Sequence, residues 1–148
     1  MTKQQLTELV GQVPFSFSVS APPQNVDVYY NSSMIIMDAR RGVDFPLDSH
    51  SHASYEFFIP MSSLAFIQLG KNIFPAQFYK LQPINTEQTH GSGGYYKNCH
   101  CYGWNIDADL LRSLARSMYG KSKIIFSNDP IEVNKEVKSL LRWFMEEF

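Results

Sequence analysis

Short runs of apolar residues, each ended by turn-forming residues, fill the chain from residue 15 to about residue 104. Residues 15–20 alternate strictly between apolar and polar side chains, as a half-buried strand does. Residues 26–30 continue this pattern, and Gly70 begins a hairpin-type turn further along the chain. Many short strands with turns at close intervals predict a β-sandwich or a β-barrel.

Helical patterns replace the strands in the last third of the chain. Asp107 is placed to cap a helix that Gly120 ends. Residues 123–126 fit one short strand, and Asp129 then begins a second helix as its capping residue. The apolar stripe of this second helix consists of Val133, Val137, Leu140, Leu141, Phe144 and Phe148.

A cluster of metal-ligating side chains interrupts the β region: His50 and His52, followed by Glu56. Residues two apart on a strand share a face, and imidazole together with carboxylate suits a divalent metal. Four extended residues would carry Glu56 about 13 Å beyond His52, too far for one metal to bridge. If the three share a site, the chain must therefore reverse near Ala53 and Ser54. Three unrelated polar residues near a turn are the alternative.

His90 is the candidate fourth ligand. It precedes the Gly-rich residues 91–94, which are predicted to form a mobile loop, so we expect His90 at the mouth of a barrel, where small ligands bind. The alternative is a histidine in a surface loop. Cys99 and Cys101 flank His100, but neighbours on a strand face opposite ways, so we expect two small buried side chains rather than a zinc site.

The composition excludes several classes of protein. The 148 residues suit one domain, and 44% hydrophobic with 18% charged residues is typical of an ordered, globular chain. A net charge of −1 gives no basic field for nucleic acid. The sequence contains no signal peptide, no long apolar run and no phosphate-binding loop, so we expect a cytoplasmic protein without a membrane segment.

From about residue 40 to the end, the chain resembles the amino-terminal cupin domain of AraC-type transcriptional regulators. Residues 75–77, Pro-Ala-Gln, stand where that family has a Pro-Gly-Asp turn. The segments that carry the resemblance are residues 50–59, Gly70, residues 78–83, residues 87–90, residues 104–114 and residues 140–147.

The resemblance implies a mainly-β cupin fold, a double-stranded β-helix or jelly-roll barrel, followed by two C-terminal α-helices. The expected divisions are an N-terminal arm or short helix over residues 1–14, a cupin β-barrel over 15–104 and a helical tail over 105–148. The family's DNA-binding helix-turn-helix pair is not among these residues. We therefore expect the chain to be a piece of a longer protein that contacts DNA only through that missing domain.

The function implied is an effector-sensing and dimerisation domain of a transcription regulator, which is not an enzyme. A small-molecule effector, such as a sugar or related metabolite, would meet His50, His52, Glu56 and His90 in the barrel. The same four residues would hold any divalent metal, whether Zn, Fe, Mn or Ni. Two alternatives stay open: a free-standing metal-dependent cupin enzyme, such as a dioxygenase or isomerase, and a structural cupin that only dimerises.

The last helix, over residues 130–148, is the expected homodimer interface. Simple docking of this helix onto the barrel is the alternative. The interface residues would be Val137, Leu140, Leu141, Phe144 and Phe148.

Overall fold

The computed structural model describes residues 25–30 and 32–147. The predicted arm or helix over residues 1–14 and the predicted strand over 15–20 lie outside the described residues. The strands, in chain order, are β1 (Asp27–Tyr30), β2 (Met34–Asp38), β3 (Val43–Phe45), β4 (Ser49–His50), β5 (Tyr55–Ser62), β6 (Phe66–Leu69), β7 (Asn72–Pro75), β8 (Lys80–Ile84), β9 (His90–Gly91), β10 (Tyr96–Ile106) and β11 (Ile131–Glu132).

These strands form two antiparallel sheets. The larger sheet has the order β1-β2-β10-β5-β8-β11, with β3 paired to the free part of β10, and the smaller sheet has the order β4-β9-β6-β7. Neighbours in a sheet are mostly not neighbours in the chain, as in a jelly roll. The predicted fold class, a mainly-β cupin-type jelly roll followed by two helices, is confirmed.

The core lies between the two sheets. Ile67 and Leu69 of the smaller sheet pack with Ile84 and Cys99 of the larger one. Cys99 and Cys101 are both buried and unpaired, which confirms that they act as small core side chains. Successive residues of a strand face opposite ways. Trp104, three positions after Cys101 on β10, therefore belongs to a different cluster, on the outer face of the larger sheet.

The first helix, α1 (Ala108–Tyr119), has the predicted ends. The side chain of Asp107 accepts a hydrogen bond from the backbone N–H of Leu110, and Gly120 adopts the left-handed conformation at φ 69°. Only glycine adopts this conformation without steric cost. The apolar stripe of α1 is exposed, with Leu114 and Met118 48% and 68% accessible.

The segment that follows α1 differs from the prediction. Residues 123–126 form no strand; instead Asn85 accepts a hydrogen bond from the N–H of Phe126 and donates one to its carbonyl. The predicted helix start at Asp129 is also wrong, because Ile131–Glu132 pairs with β8 as an edge strand. Pairing with an open sheet edge satisfies backbone groups that a first helical turn would leave unpaired.

The second helix, α2 (Lys135–Glu147), therefore begins later than residue 130. Asn134 is its N-terminal cap, since its side chain accepts a hydrogen bond from the N–H of Val137. Val137 and Leu140 are 38% and 63% accessible, so both are free for the predicted dimer contact, which stays a prediction. The other predicted interface side chains, those of Leu141, Phe144 and Phe148, lie outside the described part. No helix of the described chain is long and apolar enough to cross a membrane.

Candidate metal centre

Three strands and one turn bring the predicted ligands together. His50 ends β4 and pairs directly with His90, the first residue of β9. The chain then reverses, and β5 begins at Tyr55, so that Glu56 enters the neighbouring sheet. One ligand atom from each of His50, His52, Glu56 and His90 lies within 4.8 Å of the others. The two sheets therefore place all four candidate ligands around one point.

The carboxylate of Glu56 is the centre of the cluster. Its Oε2 atom lies 2.9 Å from Nε2 of His52 and 3.2 Å from Nε2 of His90. The ring of His50 lies 4.2 Å from that of His90, measured between centroids. His52, Glu56 and His90 are buried, and His50 is half-buried. A buried carboxylate is stable only with charged or hydrogen-bonding partners, and here the partners are imidazoles.

Backbone carbonyls fix the orientation of two imidazole rings. Nδ1 of His90 lies 2.7 Å from the carbonyl oxygen of Gln88, and Nδ1 of His52 lies 3.0 Å from that of Ser54. A carbonyl oxygen can only accept, so Nδ1 of His90 carries the proton. In the neutral ring Nε2 then presents a lone pair towards Glu56. Metal-bound histidines typically donate their second nitrogen to such a carbonyl.

The close approach of the Glu56 carboxylate to the Nε2 atoms of His52 and His90 tests whether a divalent metal fits this site. A carboxylate oxygen and a neutral imidazole lone pair repel each other at about 3 Å unless a cation lies between them or the ring is protonated. Nε2 of His90 is buried and makes no aligned hydrogen bond with any described residue. Three imidazole nitrogens and one carboxylate oxygen are a donor set that Zn, Fe, Mn or Ni accepts. The residues therefore fit a divalent metal.

The protonation of the cluster is set by burial and by mutual charge. Burial and the adjacent His90 lower the pKa of His50 to about 4, so this ring is neutral at neutral pH. Burial alone would lower the pKa of His90, but Glu56 outweighs it and raises that pKa. Burial would raise the pKa of Glu56, yet His90 and His52 hold it well below its usual range. A metal would replace the proton of His90 as the partner of Glu56.

Two residues that were not predicted as ligands, Ser54 and Asn105, support the cluster. Ser54 lies between His52 and Asn105: its hydroxyl is 3.0 Å from Nδ1 of His52 and donates to Oδ1 of Asn105 at 3.1 Å. Both residues are buried. Ser54 falls in the small polar turn that the ligand spacing required, which was a usable signal. Asn105 is 51 residues away along the chain, and no local pattern marks it.

The segment over residues 91–94, predicted to be a mobile loop, packs against residues 46–48, and its mobility stays a prediction. A Cβ atom on Gly91 would lie 2.1 Å from the carbonyl oxygen of Asp48, so only glycine fits beside this backbone. Ser92 is buried, with its hydroxyl 2.8 Å from the carbonyl oxygen of Pro46. These contacts hold β9, and therefore His90, against β4.

A cavity of about 70 Å³ adjoins the cluster inside the barrel. His50, Glu56 and His90 line one side of it. The other walls are mainly apolar and include Phe45, Phe58, Leu64, Ile67 and Ile84.

Comparisons with known proteins give similarity to solved structures alone. No family model matches the sequence, and no curated protein matches it. The plu4264 protein from Photorhabdus luminescens is 22% identical, with a TM-score of 0.39, over 64% of this chain and 87% of that one. A mutant of Bacillus subtilis oxalate decarboxylase is 12% identical, with a TM-score of 0.38, over 68% of this chain and 32% of that one.

A ribosomal oxygenase from Escherichia coli, YcfD in complex with cobalt and succinic acid, is 13% identical, with a TM-score of 0.34. That similarity covers 83% of this chain and 38% of the oxygenase. None of these three structures is named as an AraC-type regulator. The expectation that the chain is not an enzyme is corrected: two of these similar structures are named as a decarboxylase and an oxygenase, a likeness that shows the fold alone.

Proposed function

We propose that the chain is a metal-dependent cupin enzyme of the dioxygenase type, acting on a small molecule beside one divalent metal. His50, His52, Glu56 and His90 would hold the metal. The observation that carries the proposal is the buried Glu56 carboxylate, which faces the Nε2 atoms of two histidines whose Nδ1 atoms are held by backbone carbonyls. A bound Fe or Mn ion would supply oxygen activation and polarisation of a substrate oxygen at this point.

The size of the cavity supports a small substrate. About 70 Å³ is far below the roughly 300–1,000 Å³ of pockets that hold drug-sized ligands. It suffices for a few water molecules or a compound of few non-hydrogen atoms. The sugar suggested by the resemblance is therefore replaced by a smaller compound in this proposal.

The polar groups around the cavity favour oxygen chemistry over isomerisation. An isomerase needs a side chain that takes and returns a proton. Apart from His50, Glu56 and His90, the described side chains at the cavity that carry polar groups are Asp48 and Ser92. The hydroxyl of Ser92 is committed to backbone carbonyls. Asp48 is exposed, and its carboxylate accepts a hydrogen bond from the N–H of Ser49. Neither is a buried, unengaged base.

The protein's own part in the reaction is to position and to exclude water. The carbonyls of Ser54 and Gln88 orient two imidazoles, and the pairing of β4 with β9 places the backbone of His50 beside that of His90. The apolar side chains of Phe58 and Leu64 line the cavity, so a bound substrate would displace water there and electrostatic interactions inside it would strengthen.

Oxygen consumption by metal-loaded protein tests this function. Purified protein is stripped of metal, reloaded separately with Fe and with Mn, and supplied with a panel of small organic acids, alcohols and thiols. We expect substrate-dependent oxygen uptake by the wild type and by His100→Ala, the fourth histidine of the chain, which lies outside the cluster. His52→Ala and His90→Ala should lose it.

The same assay separates the enzyme from the sensing role expected from the resemblance. Metal binding with saturable affinity for a small compound, but without turnover under either metal, would overturn the enzymatic proposal. That result would favour an effector-sensing domain built on the same four residues.

A further inference from the structure

A second cavity lies on the opposite side of the larger sheet from the candidate metal centre. Phe58 lines the interior cavity, whereas the next residue, Ile59, lines this outer one, because successive strand residues face opposite ways. The outer cavity has a volume of about 420 Å³. It lies between the sheet and helix α2, and its size falls within the range of about 300–1,000 Å³ typical of small-molecule sites.

Two stacked aromatic rings form one wall of the outer cavity. The rings of Tyr102 and Trp104 lie 5.9 Å apart between centroids and are inclined by 22°. Trp104 is only 4% accessible, and its Nε1 has no hydrogen-bond partner among the described residues. A buried N–H without an acceptor is costly.

Positive charge forms the opposite wall. Lys138 and Arg142 are four residues apart on α2, so they share one face of the helix, and both line the cavity. Neither makes an ion pair with any described residue. Arg40 also lines the cavity, but its guanidinium is already neutralised by Asp38 at 2.6 Å. The cavity therefore has, on the side opposite the aromatic rings, two cations without an ion-pair partner among the described residues.

We propose that the outer cavity binds an organic anion with a flat, apolar body. The body would lie against Tyr102 and Trp104, and a carboxylate, sulfonate or phosphate group would meet Lys138 and Arg142. This site is independent of the proposed reaction, because it lies on the other face of the sheet and shares no lining residue with the interior cavity.

Fluorescence titration with two naphthalene probes tests the proposal. The anionic probe is 8-anilino-1-naphthalenesulfonate, and the neutral one is N-phenyl-1-naphthylamine. The chain has two tryptophans, so Trp143→Phe leaves Trp104 as the sole donor for energy transfer to the probe. In this background we expect saturable transfer from Trp104 to the anionic probe.

Charge-removing variants then locate the anion. Lys138→Gln with Arg142→Gln should weaken anionic-probe binding about tenfold or more, because two charge-assisted contacts are lost. The matched control, Lys71→Gln with Lys97→Gln, removes the same charge from exposed positions outside the outer cavity and should change binding less than about twofold. The neutral probe should bind both double variants alike.

Three results would overturn the proposal. The first is an absence of energy transfer from Trp104, since the probe would then bind elsewhere or not at all. The second is an equal loss of anion binding in the two double variants, which would mean a general charge effect. The third is an equal loss of the neutral probe in the helix variant, which would mean that α2 has moved. Equal melting temperatures of the variants exclude unfolding as the cause.

Discussion

Replacement of Glu56 by glutamine should abolish most of the stabilisation that a bound metal gives this protein. The change keeps the size of the side chain but removes the only carboxylate of the cluster, whose Oε2 atom faces two histidines at 2.9 and 3.2 Å. A neutral amide is a much weaker metal ligand, and even residues that merely support ligands typically change metal affinity by about 10–100-fold. We therefore expect the dissociation constant to rise at least about 100-fold.

The size of the effect follows from linkage between binding and folding. At a free metal concentration of about 100 times the wild-type dissociation constant, binding stabilises the folded state by about 2.7 kcal/mol. For a chain of this length that corresponds to a rise in melting temperature of about 5–11 °C. In Glu56→Gln the same concentration would only about equal the dissociation constant. The stabilisation would then be about 0.4 kcal/mol, or about 1 °C.

Differential scanning fluorimetry measures both values in one experiment, with and without Mn or Zn. His100→Ala is the matched control and should keep the full wild-type shift, because His100 is outside the cluster. The same metal-dependent shift in Glu56→Gln as in the wild type would mean that Glu56 is not a metal ligand. Loss of the shift in His100→Ala would also contradict the prediction, since metal would then bind to histidines without regard to the cluster.

Three further results are expected. Metal affinity should fall as the pH falls, because Glu56 raises the pKa of His90 and the metal must displace the proton of His90. Calorimetry in buffers of different ionisation enthalpy should therefore detect proton release on metal binding. The absence of proton release would contradict this prediction. Ser54→Ala should weaken metal binding about 10–100-fold in a dialysis assay while the protein stays folded. Leu64→Ala should destabilise the fold by about 2–5 kcal/mol in urea unfolding and admit larger substrates, whereas an unchanged substrate range would contradict the proposed cavity.

The sequence predicts those parts of the fold that local patterns determine. The ends of α1 follow from Asp107 and Gly120, whose roles as caps depend only on their neighbours in the chain. The turn between β4 and β5 follows from the spacing of His52 and Glu56, since an extended chain would keep them apart. Strands with an alternating pattern, such as β1, are likewise visible in the sequence.

The other elements of the fold depend on pairing between residues that are far apart in the chain, and no local sequence pattern indicates this pairing. The two-residue strands β4 and β9 exist because His50 and His90 pair across 40 residues of chain. Asp129 does not begin a helix, because Ile131 pairs with Leu81 in the sheet. Asn134 caps helix α2 instead. The ligand set was therefore predictable by residue type, whereas the partners that orient it, such as Asn105, depend on the assembled sheet.

Metal content after equilibrium dialysis shows whether His50, His52, Glu56 and His90 together hold one divalent metal. Wild type and His100→Ala, dialysed against the same Mn or Fe solution and analysed by inductively coupled plasma mass spectrometry, should each contain one metal ion per chain. The double variant His52→Ala with His90→Ala should contain almost none. Metal-free wild type under these conditions, or a double variant that retains one ion per chain, would contradict the account.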